Sequence, residues 1–276
     1  MQELFTAAKI TLSLTFLVYA SWSDYKTREV SNRVWGIYAP VALLLSLAEL
    51  LLYDPAKLPF FGLPFFGLSF GVTAVIAILL FYTGGFGGAD SKALMCIALA
   101  LPFSAGTVFA NLSPLGESPL AQNLFPLTIF SNGVLFAAAT GIYMLLYNVV
   151  WHARTGKKFF EGTLAKESVG KKLLILITGH RVPLQKLKET WHVYPMEDVR
   201  EDNEEAPLKR SLLAVPKDEG REEIVNRLSK AADSGRIDNH VWATPGLPML
   251  IFITVGLVAA LLVGDVVWIL ISAVLR

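Results

Sequence analysis

Gly84-Gly-Phe-Gly-Gly-Ala-Asp90 closes an uncharged stretch, Leu58 to Thr83, that is long enough to cross a bilayer. Four of the five residues 84–88 are glycine, which breaks a helix and lets the backbone bend without a Cβ penalty. Asp90 follows at once, Lys92 is two residues on, and another apolar run begins. An ionisable side chain beside a membrane span is expensive, which makes Asp90 a functional candidate. A water-exposed connecting loop is the plainer reading of such an acid, but an ordinary loop has no need of so much unhindered backbone.

Composition agrees with a membrane setting. Residues of the apolar classes make up 54% of the 276 and charged residues only 17%, a balance suited to a polytopic membrane protein rather than a soluble core. At about 20 residues per helical span, six candidates emerge, at 4–23, 34–53, 60–83, 93–110, 130–151 and 246–270. The second carries Pro40 and Glu49, and the fourth is short before Pro102. Residues 104–129, with Pro114, Pro119 and Pro126, read as an irregular lid or re-entrant piece. The first span has a rival reading as a cleaved signal peptide, with Ile10–Val18 as its apolar region and Val18-Tyr19-Ala20 as its cleavage site. Glu3 near the start, and Lys9 as the only basic residue there, weigh against it.

The single cysteine, Cys96, leaves no intrachain disulfide and no cysteine-built zinc site. His152, His180, His192 and His240 are scattered without metal-ligand spacing, and no metal or other cofactor is expected. The sequence has no Ser-His-Asp set, no P-loop and no dinucleotide fingerprint, and a net charge of +1 argues against a nucleic-acid partner.

Charge placement sets an expected topology. With six spans, one face receives the loops 24–33, 84–92 and 152–240, which hold 21 of the 24 basic residues, while Lys9, Lys57 and Arg276 fall on the other. Short loops weigh most, so Lys26, Arg28 and Arg33 make this face cytoplasmic. Asp24, at the end of the first span in Ser-Trp-Ser-Asp-Tyr-Lys, then shares that face with Asp90, because two crossings separate them. Two carboxylates at one site are how an aspartic protease works. They share a proton, the ionised one takes a proton from water, and the protonated one polarises the scissile carbonyl.

At these residues the chain resembles the type IV prepilin peptidases, membrane aspartic proteases described by a Gly-x-Gly-Asp signature. Asp24-Tyr-Lys-Thr-Arg-Glu-Val30-Ser-Asn32 is similar to their first aspartate motif, and Gly85-Phe-Gly-Gly-Ala-Asp90-Ser-Lys92 to their second, with Ala89 a small-residue departure. The long polar stretch before a last span, entered at Val241-Trp-Ala-Thr-Pro-Gly-Leu-Pro248, is similar to the archaeal preflagellin and prepilin peptidase branch. Bacterial relatives with an N-methyltransferase activity carry four cysteines that are missing here, so that activity is not implied.

The resemblance implies an α-helical polytopic membrane protein of about six transmembrane helices, with a small mixed α/β cytoplasmic segment before the last. It is organised as a catalytic core at 1–151, a soluble domain at 152–245 and a C-terminal helix at 246–276. It implies an endopeptidase that removes leader peptides from preflagellin or pilin-like precursors at the cytoplasmic face, with Asp24 and Asp90 as the catalytic pair. Gly85, Gly87 and Gly88 would supply the bend, while Ala89, Lys92 and Asn32 match motif positions without an assigned chemical role. A secondary transporter or channel is the competing reading, since glycine-broken helices with carboxylates also mark ion sites. It expects an inverted repeat, and none is visible between 1–110 and 111–276. A membrane-anchored scaffold leaves both aspartate motifs unexplained.

Within 152–245, the apolar run in Lys172–Val182 is too short to span a bilayer and reads as a buried strand. Glu222–Ala232 reads as a helix with Ile224, Val225 and Leu228 on one side. Glu197, Asp198, Glu201, Asp202, Glu204 and Glu205 form an acidic cluster that reads as a solvated loop or as an electrostatic guide for basic leader peptides.

Overall fold

A computed structural model describes residues 2–52, 62–109, 112–113, 115–200, 209–213 and 220–275. The chain divides into two compact units, Met1–Ala137 with Pro248–Arg276, and Ala138–Leu247.

The first unit is helical. It contains α1 (Gln2–Thr27), α2 (Asn32–Leu52), α3 (Leu63–Tyr82), α4 (Gly88–Ala100), the short α5 (Pro119–Asn123), the first part of α6 (Phe125–Thr155), α10 (Met249–Leu262) and α11 (Val266–Val274). Four helices, α1, α2, α3 and α6, are long and apolar enough to cross a membrane, and α10 with α11 makes a fifth if the pair is one bent span. This is a polytopic membrane protein, with four to five such spans among the described residues where about six are expected.

The difference has physical causes. Helix α4 has only 13 residues, about 20 Å at ~1.5 Å per residue. It stops at Ala100 because Leu101 precedes Pro102, whose ring disfavours the helical conformation before it. The last expected span, 246–270, is bent by 65° between α10 and α11. Gly264 there takes a left-handed φ of +87°, and the Asp265 carboxylate caps α11 by accepting from the Trp268 amide at 3.0 Å. Asn132 of α6 satisfies the opened backbone, donating to the Gly264 carbonyl at 3.0 Å and accepting from the Val266 amide at 2.9 Å. Of the expected irregular piece 104–129, the described residues before Pro119 form no helix or strand, but Pro119 opens α5 and Pro126 lies in the first turn of α6, since proline fits a helix start; Val108 and Phe109 bond the final carbonyls of α10.

Small residues let the helices approach closely, the packing that suits a medium without a hydrophobic drive between helices. A Cβ on Gly133 of α6 would meet the Phe252 carbonyl oxygen at 2.9 Å, and one on Gly256 of α10 would run into the backbone at Ile129. Serine hydroxyls bridge neighbours, Ser46 to Leu99 O at 2.6 Å and Ser69 to Pro102 O at 2.8 Å. Lys9 and Glu49 form a largely buried ion pair that joins α1 to α2. Leu17 and Ala20 are fully buried in this core, so α1 packs as a helix of the unit.

The second unit is mixed. A 3₁₀ turn at Gly162–Lys166 precedes α7 (Val169–Thr178), β1 (His180–Pro183), α8 (Leu184–Glu189), β2 (Val193–Pro195), β3 (Glu197–Arg200), β4 (Lys209–Leu212), α9 (Arg221–Asp233) and β5 (His240–Pro245). Strand β5 lies between β1 and β2 in an antiparallel sheet, and β3 pairs with β4 in a separate antiparallel ribbon. Ile224, Val225 and Leu228 of α9 are buried, as the helical periodicity predicts. The expected strand over the apolar run is instead α7, with strand geometry confined to His180–Pro183. Ser168 caps that helix through the Lys171 amide, and its exit needs Gly179, where a Cβ would meet Met196 Sδ at 2.7 Å and Ala243 O at 2.9 Å.

Two residues of the acidic cluster are placed otherwise than expected. Glu197 and Asp198 are 0% and 2% exposed and belong to β3 rather than to a solvated loop. Arg210 holds both Glu197 oxygens at 2.9 and 3.0 Å, and Arg227 grips Asp198 at 2.8–3.0 Å. Glu201, Asp202, Glu204 and Glu205 lie outside the described residues.

Burial pushes the Glu197 carboxyl above the ordinary glutamate range, and the Arg210 charge opposes that. Removing one partner of such a buried pair costs about 3–5 kcal/mol, so Arg210→Met is expected to lower stability by that order. Without Arg210 the burial, still opposed by the Arg181 charge and a backbone bond with Trp242, weighs more heavily, and the folded protein binds a proton that the unfolded chain releases. The variant therefore loses stability as pH rises from about 5 to about 8, past the unfolded glutamate pKa of about 4.3. Thermal unfolding of full-length protein at both pH values measures the loss and its sign.

Candidate active site

Asp24 lies in the last turn of α1. The helix ends three residues later because Arg28 adopts a left-handed φ of 57°, unusual for a residue with a side chain, while its amide still bonds the Asp24 carbonyl at 2.9 Å. Ser23 and Thr27 hydroxyls hold the outgoing chain through the Glu29 carbonyl, at 2.8 and 3.0 Å. Their bonds turn the chain into α2, which starts at Asn32.

Asp90 is the third residue of α4, where free backbone amides and the helix dipole favour an acid. The N-cap Gly87 amide donates to Asp90 Oδ2 at 3.0 Å. A Cβ on Gly87 would meet that same oxygen at 3.1 Å, so the absent side chain is what leaves the carboxylate room. Upstream, α3 ends where Gly84 takes a φ of +75°, and the amides of Gly85 and Phe86 both reach back to the Leu80 carbonyl at 2.9 and 3.0 Å. Phe86 is buried edge-on against Phe130, and Ser91 donates to Ala77 O at 3.0 Å, pinning the turn and the new helix to their neighbours.

The left-handed residue of the motif is thus Gly84, and the tight approach is at Gly87. Gly85 and Gly88 are outside the left-handed region, and a Cβ on either would make ordinary contacts no closer than 3.5 Å. Ala89 is partly buried against the helical core.

The two motifs converge. Helix α1 packs on α4, and the Asp24 charge is felt at Asp90 as the smallest influence after burial and the Gly87 amide. Both are partly exposed. Lys92 Nζ donates to Asn32 Oδ1 at 2.7 Å, which ties the start of α2 to the start of α4. Sequence reading matched both residues to motif positions without linking them. Arg28, read there only as a topological charge, also acts on Asp24 electrostatically. Among the described residues no three His, Cys, Asp or Glu side chains gather as a metal site.

The packing of α4 on α1 is where the two motif aspartates come to one region of the helical unit. The sequence pattern of the type IV leader peptidase family matches residues 11–153, just over half of the chain, and the chain belongs to that family. A second pattern, archaeal peptidase A24 C-terminus type II, matches residues 171–266. A preflagellin peptidase of Methanococcus voltae is 28% identical over 254 residues, covering 92% of this chain and 94% of its own. One from Methanococcus maripaludis strain C6 is 23% identical over 253 residues, covering 90% and 92%. The protein is therefore a leader-processing protease, and the transporter reading has no support in these relationships.

The glycines of the turn are expected to differ in tolerance. Gly84→Ala forces a side chain into left-handed backbone at about 1–2 kcal/mol, whereas Gly84→Asn retains most stability. Gly88→Ala, whose nearest contact would be Phe81 Cε2 at 3.6 Å, should behave as the parent protein. Thermal unfolding in detergent ranks the three.

Proposed function

We propose that the protein is an aspartic endopeptidase with Asp24 and Asp90 as its catalytic pair, removing short leader peptides from preflagellin or type IV pilin-like precursors at the cytoplasmic membrane face. The observation that carries this reading is the packing of α4 on α1, with one motif carboxylate in the last turn of α1 and the other in the first turn of α4, where Lys92 also bonds Asn32 at 2.7 Å. The names of the two relatives support the substrate class, and the excess of basic residues in the short loop 24–33 supports the cytoplasmic face.

In this reading water lies between the carboxylates. Like charges at close range favour a shared proton, so one carboxylate accepts a proton from the attacking water while the other donates to the scissile carbonyl oxygen. The tetrahedral intermediate then collapses, the C–N bond breaking as one carboxyl protonates the leaving amine and the other carboxylate takes the proton of the intermediate's hydroxyl, which restores the shared proton for the next cycle. The Gly87 amide fixes Asp90 Oδ2 and leaves Oδ1 for this work. No cofactor enters the cycle.

Asp24→Asn and Asp90→Asn are each expected to remove cleavage, since an amide neither accepts nor donates that proton. General acid–base groups contribute about 10²–10⁴-fold, and residues acting as one unit do not add. The double variant is therefore little slower than either single one, while Cys96→Ser retains activity. Cleavage of purified precursor in detergent, where no gradient exists, scores this. Substantial activity in a folded single variant overturns the two-aspartate assignment. A cysteine introduced at position 28 in a Cys96→Ser background should resist membrane-impermeant reagent in intact cells, and ready labelling from outside overturns the cytoplasmic assignment.

A further inference from the structure

Helix α7 is apolar on the outside. It carries five consecutive apolar residues, Leu173 to Ile177, of which only Ile175 is buried. Val169 and Leu173, one turn apart and on one face, are 79% and 53% exposed. Helix α9 of the same unit has the opposite arrangement. Its Glu222, Glu223, Asn226 and Lys230 face outward, and its apolar residues are inside. Water therefore suits the outer surface of α9 and not that of α7.

The depth of α7 follows from α6. A Cβ on Gly141 of α6 would touch the Ile177 carbonyl oxygen at 3.4 Å, so α7 packs directly on the α6 backbone there. Helix α6 has 31 residues, and a hydrocarbon layer takes about 20 of them. Every stretch of about 20 residues within 125–155 includes Gly141, so Ile177 lies at hydrocarbon depth wherever the bilayer sits along α6. The end of α7 is finished as lipid requires. Asn148, itself buried, donates to the Leu176 and Gly179 carbonyls at 2.9 and 2.8 Å, and Thr178 Oγ1 donates to Leu174 O at 2.7 Å. At the opposite end Lys171 and Lys172 keep their ammonium groups near the start of the helix, bonded to Glu167 and the Ala165 carbonyl. An apolar end against α6 and a basic opposite end match the pattern of a segment lying in the membrane boundary.

We propose that α7 is an interfacial helix, with Val169, Leu173 and the outer edges of Leu174 and Ile177 packed against lipid acyl chains and Lys171 and Lys172 at headgroup level. The partner of this surface is the bilayer, and it extends the lipid-facing side of α6 onto the mixed unit. The proposal is independent of the assignment of the catalytic pair.

Spin labels on single cysteines in the full-length Cys96→Ser protein test it in phosphatidylcholine–phosphatidylglycerol nanodiscs. Leu173→Cys and Val169→Cys are compared with Ile142→Cys, exposed on α6 at hydrocarbon depth, and Lys230→Cys, exposed on α9. The expected result is an oxygen-to-nickel-chelate accessibility ratio at 173 that approaches the one at 142 and exceeds the one at 230 severalfold, with 169 between. Three results overturn the proposal. A ratio at 173 equal to that at 230 makes the face aqueous. Dipolar broadening between labels makes it a contact with a second copy. Protection from both reagents makes it a protein-covered surface.

Discussion

A helix that begins beside a bilayer exposes backbone amides with no partner in the preceding turn, and α4 begins with an acid among them. The Gly87 amide and the Asp90 carboxylate answer each other's need, at 3.0 Å. That bond requires the chain to reverse between α3 and α4 in a handful of residues, which Gly84 permits through its left-handed conformation. It also requires the α4 N-terminus to stay in place, which Ser91 and buried Phe86 secure. Because α4 packs on both α1 and α2, fixing its start also fixes where Asp90 stands relative to Asp24 and Asn32. The proposed chemistry depends on this one helix start.

The same constraint governs the other interruptions of the helical unit. Backbone polar groups freed in an apolar medium must find partners within the protein. At the bend between α10 and α11 the partners are Asn132 and the Asp265 carboxylate, which also accepts from Ser118 at 2.7 Å. Each break is thus matched by a polar side chain, from the new helix itself at Asp90 and Asp265 and from a neighbouring helix at Asn132. The close approach of α6 and α10 at Gly133 and Gly256 brings that neighbour within reach.

In the mixed unit, charge is spent inward. Glu197 and Asp198 are buried against Arg210 and Arg227, and a carboxylate so placed is stable only with its partner. These pairs join β3 to β4 and to α9, so the ribbon and the helix are held in one arrangement. The polar exterior is left to α9, while α7 offers apolar side chains on its outer face.

Much of this was open to reading from the residues alone. Long uncharged runs cannot be soluble, the turn glycines stand directly before Asp90, and the period of Ile224, Val225 and Leu228 specifies a helix. The two aspartate motifs point to the family by themselves, since each lies at the end of an apolar run. What the tertiary structure alone decided has a common cause: it depends on partners remote in the chain. A five-residue apolar run has no period that separates helix from strand, and α7 is a helix because its cap, its exit glycine and its packing on α6 accept one. The bend at Gly264 is sustained by Asn132, the Lys92 ammonium meets Asn32 from 60 positions away, and the acids of β3 find arginines on β4 and α9. Local pattern encodes the backbone's preferences, but burial and pairing are settled only when distant segments compete for the same space.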